Sequence, residues 1–227
     1  MPKRLVKSLI KILRLEEAIG HIGRLTKKEE RCLPIIFVSG DKNDPDPELK
    51  LKIYGILHEL RNRVKRPFGA LLVLGWRREW NRKHASIPDI TQNIFRRRHF
   101  DLWERSRDDA HETIKKTIDF DGAILVTKDG AIVGSGIYLE NIKPKEIAHI
   151  LHAGSVDDLS TAFGFAKKVH TRHLAAIAAS YVLKNTTIFV VSEEDRSLRV
   201  FENGKIIWST ISSEIHEIIE HEIESGN

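Results

Sequence analysis

Two dipeptides constrain this chain most. Asp129-Gly130 stands between the runs DGAILVT and AIVGSGIYLE, and Asn203-Gly204 stands between LRVFE and KIIWS. Both pairs suit the left-handed backbone of a tight hairpin turn, so each predicts two antiparallel strands side by side. Helical periods surround them. ELKLKIYGILHELRNRV (48–64) carries a stripe at Leu49, Ile53, Ile56, Leu57, Leu60 and Val64. DDAHETIKKTI (108–118) has an acidic first turn. HTRHLAAIAAS (170–180) opens a helix with Leu174, Ile177, Ala178 and Tyr181 on one face. FGALLVLGW (68–76) is apolar almost throughout, which predicts a buried central strand. TTIFVVS (186–192) reads as a strand, and so does RCLPIIFVSG (31–40), with Cys32 buried at its start. The order is α, β, α, β, irregular, α, β, β, α, β, β, β, α. It predicts a mixed α/β fold: a mixed β-sheet with hairpins, flanked by helices on both faces. Two tight hairpins exclude a purely parallel, doubly wound sheet.

The acidic, proline-bearing DKNDPDPE (41–48) is a loop that offers Asp46 as a helix cap and Pro47 as the first helical residue. Of the 227 residues, 37 are Lys or Arg and 32 Asp or Glu, a net charge of +5 that suits an anionic ligand. The basic residues concentrate in RREWNRKH (77–84) and FRRRHF (95–100), inside a segment, 77–107, whose structure the pattern leaves open. No apolar run is long enough for a membrane span. The basic, amphipathic start MPKRLVKSLIKILRLEEAIG lacks a signal-peptide core and predicts a surface helix, with a peripheral membrane or partner helix as the other reading. One cysteine allows no internal disulfide, and the expected location is the cytoplasm.

Four short features bear chemistry. Phe120–Leu125, FDGAIL, sets Asp121 before Gly122 and Ala123 at a strand start, where a small backbone lets a ligand approach and the carboxylate can take a hard cation. The bland alternative is a helix-to-strand turn. Thr171, Arg172 and His173 stand in the first turn of a helix, where acids are the usual choice. A polyphosphate would reverse that preference, taking the helix N–H groups, the Thr hydroxyl, the Arg fork and a His donor. The alternative is that Arg and His point to solvent. FVVSEED ends a buried strand with Ser192, Glu193 and Glu194, which can share a divalent metal or form a solvated turn. HEIIEH (216–221) resembles a zinc helix but has Glu220 where the second His is needed, so it is read as a solvated helix face.

The first three features, in this order and spacing, resemble the diadenylate cyclase domain family, the domain shared by DNA-integrity-scanning proteins and their membrane-linked and archaeal relatives. The likeness runs from about Phe68 to Trp208. It implies a mixed sheet flanked by helices. It also implies condensation of two ATP into cyclic di-AMP with release of two pyrophosphates, using Mn²⁺, Mg²⁺ or Co²⁺. The family's catalytic Asp-Gly-Ala falls on Asp121, Gly122 and Ala123, its phosphate-gripping motif on Thr171, Arg172 and His173. Its serine–glutamate element, near the phosphates and metal, falls on Ser192 and on Glu193 or Glu194. Tyr138 and Leu139 fall where the family forms its adenine pocket. By the same resemblance the metal carboxylates are Asp121, Glu193 and Glu194, and two copies must meet face to face, as a homodimer or larger assembly, because each domain holds one ATP.

The chain departs from the family's Gly-Thr-Arg-His-Arg at two places: His170 replaces the Gly and Leu174 the second Arg. Lys167 and Lys168 are the nearest cations that could compensate. The expected organisation is an α-β-α extension over 1–66, a catalytic domain over 67–212 and an acidic C-terminal helix over 213–227. Two other functions stand beside the cyclase. One is a catalytically weakened protein of the same fold that binds ATP or cyclic di-AMP. The other is a nucleic-acid binder using residues 77–107, with salt-sensitive affinity.

Overall fold

The computed structural model describes residues 25–38, 43–152 and 157–215, together with Leu15, Ile19 and Ile22. Its centre is a seven-stranded sheet in the order β2-β4-β3-β1-β5-β6-β7. The strands are β1 (Ala70–Leu74), β2 (Ala85–Ser86), β3 (Ala123–Val126), β4 (Ile132–Leu139), β5 (Thr187–Val191), β6 (Leu198–Glu202) and β7 (Lys205–Ser209). Only the β1–β3 pair is parallel, and every other neighbour is antiparallel.

The near-continuous apolar run of β1 has a direct cause. The strand lies between β3 and β5, and all five of its residues are buried. Leu72 and Leu74 enter one core, which also holds Leu33, Tyr54, Ile114 and Phe189. Leu71 and Val73 enter another, on the opposite face, with Ile177, Ala178, Ile188 and Val190. Helices therefore cover both faces. On the first lie α1 (Lys27–Val38), α2 (Pro47–Arg63) and α4 (Arg107–Lys115), and on the second α5 (Pro144–His152) and α7 (Thr171–Val182). The one-turn helices α3 (Asn81–His84) and α6 (Leu159–Ala162) complete the set.

The second hairpin turns as the sequence predicts, while the first takes left-handed backbone at its glycine and not at Asp129. Asn203 and Gly204 both have positive φ, 51° and 77°, the pairing a tight hairpin with right-twisted strands requires. Gly130, at φ 99°, turns β3 into β4. Asp46 caps α2 by accepting from the Glu48 amide at 2.9 Å, with Pro47 in the first position. At the other end of α2 the Arg196 guanidinium donates to the carbonyls of Arg61 and Val64, satisfying acceptors that a helix C-terminus leaves open.

One element differs from the expectation. The RCLPIIF stretch is helical, inside α1, and not a strand. Thr26 and Glu29 form a reciprocal capping box: the Thr26 amide donates to Glu29 Oε2 at 2.8 Å, and the Glu29 amide donates to Thr26 Oγ1 at 3.2 Å. Leu33, Ile36 and Phe37 then share the buried face, at helical spacing. Pro34 lies inside the helix and removes one backbone donor, a local cost that burial of the apolar face offsets. Cys32 is only half-buried, on that helix. Burial raises its thiol pKa. Past β7 the chain makes a short 3-10 turn, Ser212–Glu214. The expected acidic helix lies, beyond Ile215, outside the described residues, as do HEIIEH (216–221) and the amphipathic start, apart from Leu15 and Ile19.

Segment 77–107 resolves into short pieces: 3-10 turns at Arg78–Trp80 and Ile90–Gln92, helix α3, and the two-residue edge strand β2 paired with Tyr138 and Leu139 of β4. The described helices contain none long and apolar enough to cross a membrane.

Candidate active site

Five chain segments converge where β1, β3 and α7 begin and β4 and β5 end. They line one cavity of about 680 Å³ whose walls include Asp121, Gly122, Tyr138, Leu139, Thr171, Arg172, His173, Ser192, Glu193 and Glu194. The sequence-predicted site residues thus come together, except Ala123, which is fully buried as the first residue of β3. Leu71, Ile137, His170 and Ala175 complete the lining.

Asp121 stands on a tight turn that only its neighbour makes possible. Gly122 has φ 90°, and a Cβ there would come within 2.7 Å of the Ile137 carbonyl oxygen. The turn leaves the Asp121 carboxylate at the cavity wall. Its Oδ2 accepts from the Tyr138 hydroxyl at 2.8 Å, and its backbone amide donates to Gln92 Oε1 at 2.9 Å. The hydrogen bond to this carboxylate raises the Tyr138 pKa, so the phenol stays a donor.

Helix α7 starts at Thr171 with no side-chain cap, and its first-turn residues Thr171, Arg172 and His173 line the cavity. Arg172 crosses over Gly69, just before β1. A Cβ at that position would collide with Arg172 Nη1, so Gly69 is the groove that seats the guanidinium. Across the cavity, Glu193 Oε2 lies 3.9 Å from Arg172 Nη1. Beside them, His170 Nε2 and Glu194 Oε1 are 2.8 Å apart on the exposed rim.

His173 differs from its neighbours. Its ring is buried, and its Nε2 is 3.1 Å from Arg199 Nη1, which always donates, so Nε2 accepts. Burial, and then the positive charge of Arg199, pushes its pKa down to about 4. The ring therefore braces the helix start as a neutral imidazole. Arg199 is itself fully buried and doubly bonded to Glu214, at 2.8 and 2.9 Å, and it reaches Ser197 Oγ at 2.6 Å. Burial opposes the Glu214 charge, but Arg199 and Ser209 outweigh it and hold that pKa down. This resolves the oddity of a basic first turn. Of its two basic side chains only Arg172 is charged, and it faces a carboxylate.

The two departures from the family pattern have structural correlates. Leu174 packs against the second core, continuing the apolar stripe of α7. Lys167 does not replace the missing cation: it pairs with Asp195 at 2.6 Å, and neither it nor Lys168 lines the cavity. The sequence pattern does not single out Gly69, Gln92 or Arg199, which touch Arg172, Asp121 and His173. The faint signals were a glycine before the buried strand and an arginine inside the apolar strand LRVFE.

No group of three or more His, Cys, Asp or Glu side chains forms a ready-made metal centre among the described residues. Asp121 offers a single well-oriented carboxylate, and Glu193 and Glu194 line the same cavity. That donor set fits a hard cation such as Mg²⁺, which is commonly held by one or two carboxylates together with substrate phosphates.

The family described as "DisA bacterial checkpoint controller nucleotide-binding" (DAC) matches residues 58–206. A diadenylate cyclase from Methanocaldococcus jannaschii is 35% identical over 100 residues, which cover 43% of this chain but only 26% of that relative. Among solved structures, DacA from Staphylococcus aureus is similar at 20% identity and a TM-score of 0.43, covering 77% of this chain and 94% of that one. A hypothetical membrane spanning protein from Bacillus cereus is similar at 19% identity and a TM-score of 0.48, covering 90% of this chain and 89% of that one. With the family matched across the whole cavity-bearing region, from α2 into β7, this chain belongs to the DAC family, the diadenylate cyclases.

Proposed function

We propose that this chain condenses two ATP molecules into cyclic di-AMP and two pyrophosphates. The observation that carries the proposal is the convergence, on one cavity, of the Asp121 carboxylate with Thr171 and Arg172 at an uncapped helix start. Such a site is built for a nucleotide whose sugar hydroxyl and phosphates need opposite treatment.

In each half-reaction a 3′-hydroxyl oxygen of one ATP bonds to the α-phosphorus of the other. The bond from that phosphorus to the bridging oxygen breaks, pyrophosphate leaves and the hydroxyl proton is released. Two such events close the ring. Asp121, oriented by Tyr138 and by its own amide, accepts the hydroxyl's hydrogen bond and aligns the oxygen. The α7 N–H groups, Thr171 and Arg172 bind phosphate oxygens and neutralise the charge that develops on them. Ser192 sits buried at the end of β5, beside them. The exposed ring of Tyr138, with Leu139, forms an apolar shelf for the base. A divalent cation, Mn²⁺, Mg²⁺ or Co²⁺, held by Asp121 with Glu193 or Glu194 near the phosphates, would supply further charge neutralisation. Each cavity suits one nucleotide, so the reaction needs a second copy of the domain facing the first.

Incubation of the purified protein with ATP and Mn²⁺ or Mg²⁺, beside Asp121→Asn, followed by mass spectrometry, tests this. Cyclic di-AMP is expected from the wild type and at least about 100-fold less from the variant. Nucleotide binding without product would favour the second reading, a binding protein of the same fold, which Leu174 in place of the family's second Arg motivates.

A further inference from the structure

The irregular segment 85–94 does more than cover a sheet edge. Its β2 residues pair with Tyr138 and Leu139, and its 3-10 turn carries Gln92, whose Oε1 accepts the Asp121 amide at 2.9 Å. The same turn is anchored to β4 from beneath. Ser135 Oγ donates to the Gln92 carbonyl at 2.6 Å, and the Ser135 amide donates to Asn93 Oδ1 at 3.3 Å. The close approach depends on Gly136, at φ 66°, where a Cβ would lie 2.6 Å from Gln92 Cβ. Asp89 fixes the orientation of the amide. Its Oδ2 accepts from Gln92 Nε2 at 3.3 Å, while its Oδ1 takes the Thr91 amide and hydroxyl at 2.9 and 2.7 Å. With Nε2 held by Asp89, the amide oxygen must face Asp121. Both groups that fix Asp121, the Gln92 oxygen and the Tyr138 hydroxyl, are therefore set by one segment. Gly136 in β4 thus has a purpose: it lets that segment dock.

We infer that Gln92 is a positioning residue for Asp121: its side-chain oxygen fixes the Asp-Gly turn so that the carboxylate meets the 3′-hydroxyl and the cation in one orientation. This rests on the cyclase reading. Gln92 does not line the cavity and touches no substrate. Removing its oxygen should harm orientation and spare nucleotide binding, a split that a general loss of stability would not produce.

The test compares wild type, Gln92→Met, which keeps the length but loses the acceptor, and Gln92→Glu combined with Asp89→Asn, which keeps the acceptor toward Asp121 and swaps donor and acceptor between positions 89 and 92. Two quantities are read: steady-state kcat and KM for ATP, and the affinity for Mn²⁺ by electron paramagnetic resonance with unreactive 3′-deoxy-ATP bound. Gln92→Met is expected to lower kcat and weaken Mn²⁺ binding about 10- to 100-fold, as losses of supporting contacts around metal ligands commonly do, with KM for ATP nearly unchanged. Gln92→Glu with Asp89→Asn should recover most of both. Near-wild-type kcat and Mn²⁺ affinity in Gln92→Met, or equal losses in the two variants, would overturn the inference. Should Gln92→Met fail to fold, Asp89→Asn takes its place. Its amide nitrogen would meet Nε2 and turn the Gln92 oxygen away, so the same two quantities must fall, and a variant equal to wild type overturns the inference. If wild type makes no cyclic di-AMP, the cyclase reading fails, and the Mn²⁺ comparison still decides the role of Gln92. Wild type that neither turns over nor binds Mn²⁺ overturns both.

Discussion

Arg172 owes its place to a residue with no side chain. Gly69 leaves the groove in which the guanidinium lies, and no other atom of that residue competes for the space. Gly69→Ala should keep the fold, because β1 begins only at Ala70, but it should push Arg172 out of line with the phosphates. A displacement of that size can cost on the order of 100-fold in kcat/KM. Gly69→Ala combined with Arg172→Ala should be no worse than Arg172→Ala alone, which steady-state kinetics on the three variants would check. His173 makes a second prediction. Its folded pKa, about 4, is depressed below the ordinary value of 6.5, so the unfolded chain binds its proton first as the pH falls. Stability from this group is whole above pH 6.5 and is lost as the pH drops toward 4. Between pH 7 and 5 the loss is about 2 kcal/mol. Urea unfolding at the two pH values should show it, and His173→Gln, which keeps an acceptor for Arg199, should remove that part of the difference. Neither Gly69 nor Arg199 could be found by spacing. The contact of Arg199 with His173 spans 26 residues and that of Gln92 with Asp121 spans 29, and no local period encodes such pairs.

At the scale of elements, local turn chemistry carried what was readable. Both hairpins, the Asp46 cap and the start of α7 at Thr171 lie where short-range signals put them, because backbone sign and capping depend on adjacent residues. Helix α1 shows the opposite case. Its Ile35, Ile36, Phe37 and Val38 have strand-like composition, but the Thr26–Glu29 box nucleates a helix upstream and the buried face completes it. Glu29 has a second task, accepting from the Tyr54 hydroxyl at 2.6 Å, which ties α1 to α2. Thr26→Ala removes the cap and should cost about 1 kcal/mol of unfolding free energy, with product formation unchanged, since no residue of α1 lines the cavity. Denaturant titration and an activity assay on the same preparation would check both halves.

The whole molecule explains why the candidate site sits where it does. A buried central strand, β1, joins two hairpin-bearing halves, so the start of β3 with Asp121, the end of β4 with Tyr138 and the end of β5 with Ser192 meet at one end of the sheet's strands. Helix α7, packed on the second core, brings its uncapped start to the same end. The chemistry proposed for that place has a fixed stoichiometry, and no simple ATPase or nucleotide-binding protein shares it. The most direct test is to follow pyrophosphate and cyclic di-AMP released from ATP by the wild-type protein over one time course. The account predicts two pyrophosphates for each cyclic di-AMP throughout. Phosphate or pyrophosphate released without the cyclic dinucleotide, or no turnover with any of Mn²⁺, Mg²⁺ and Co²⁺, would contradict it.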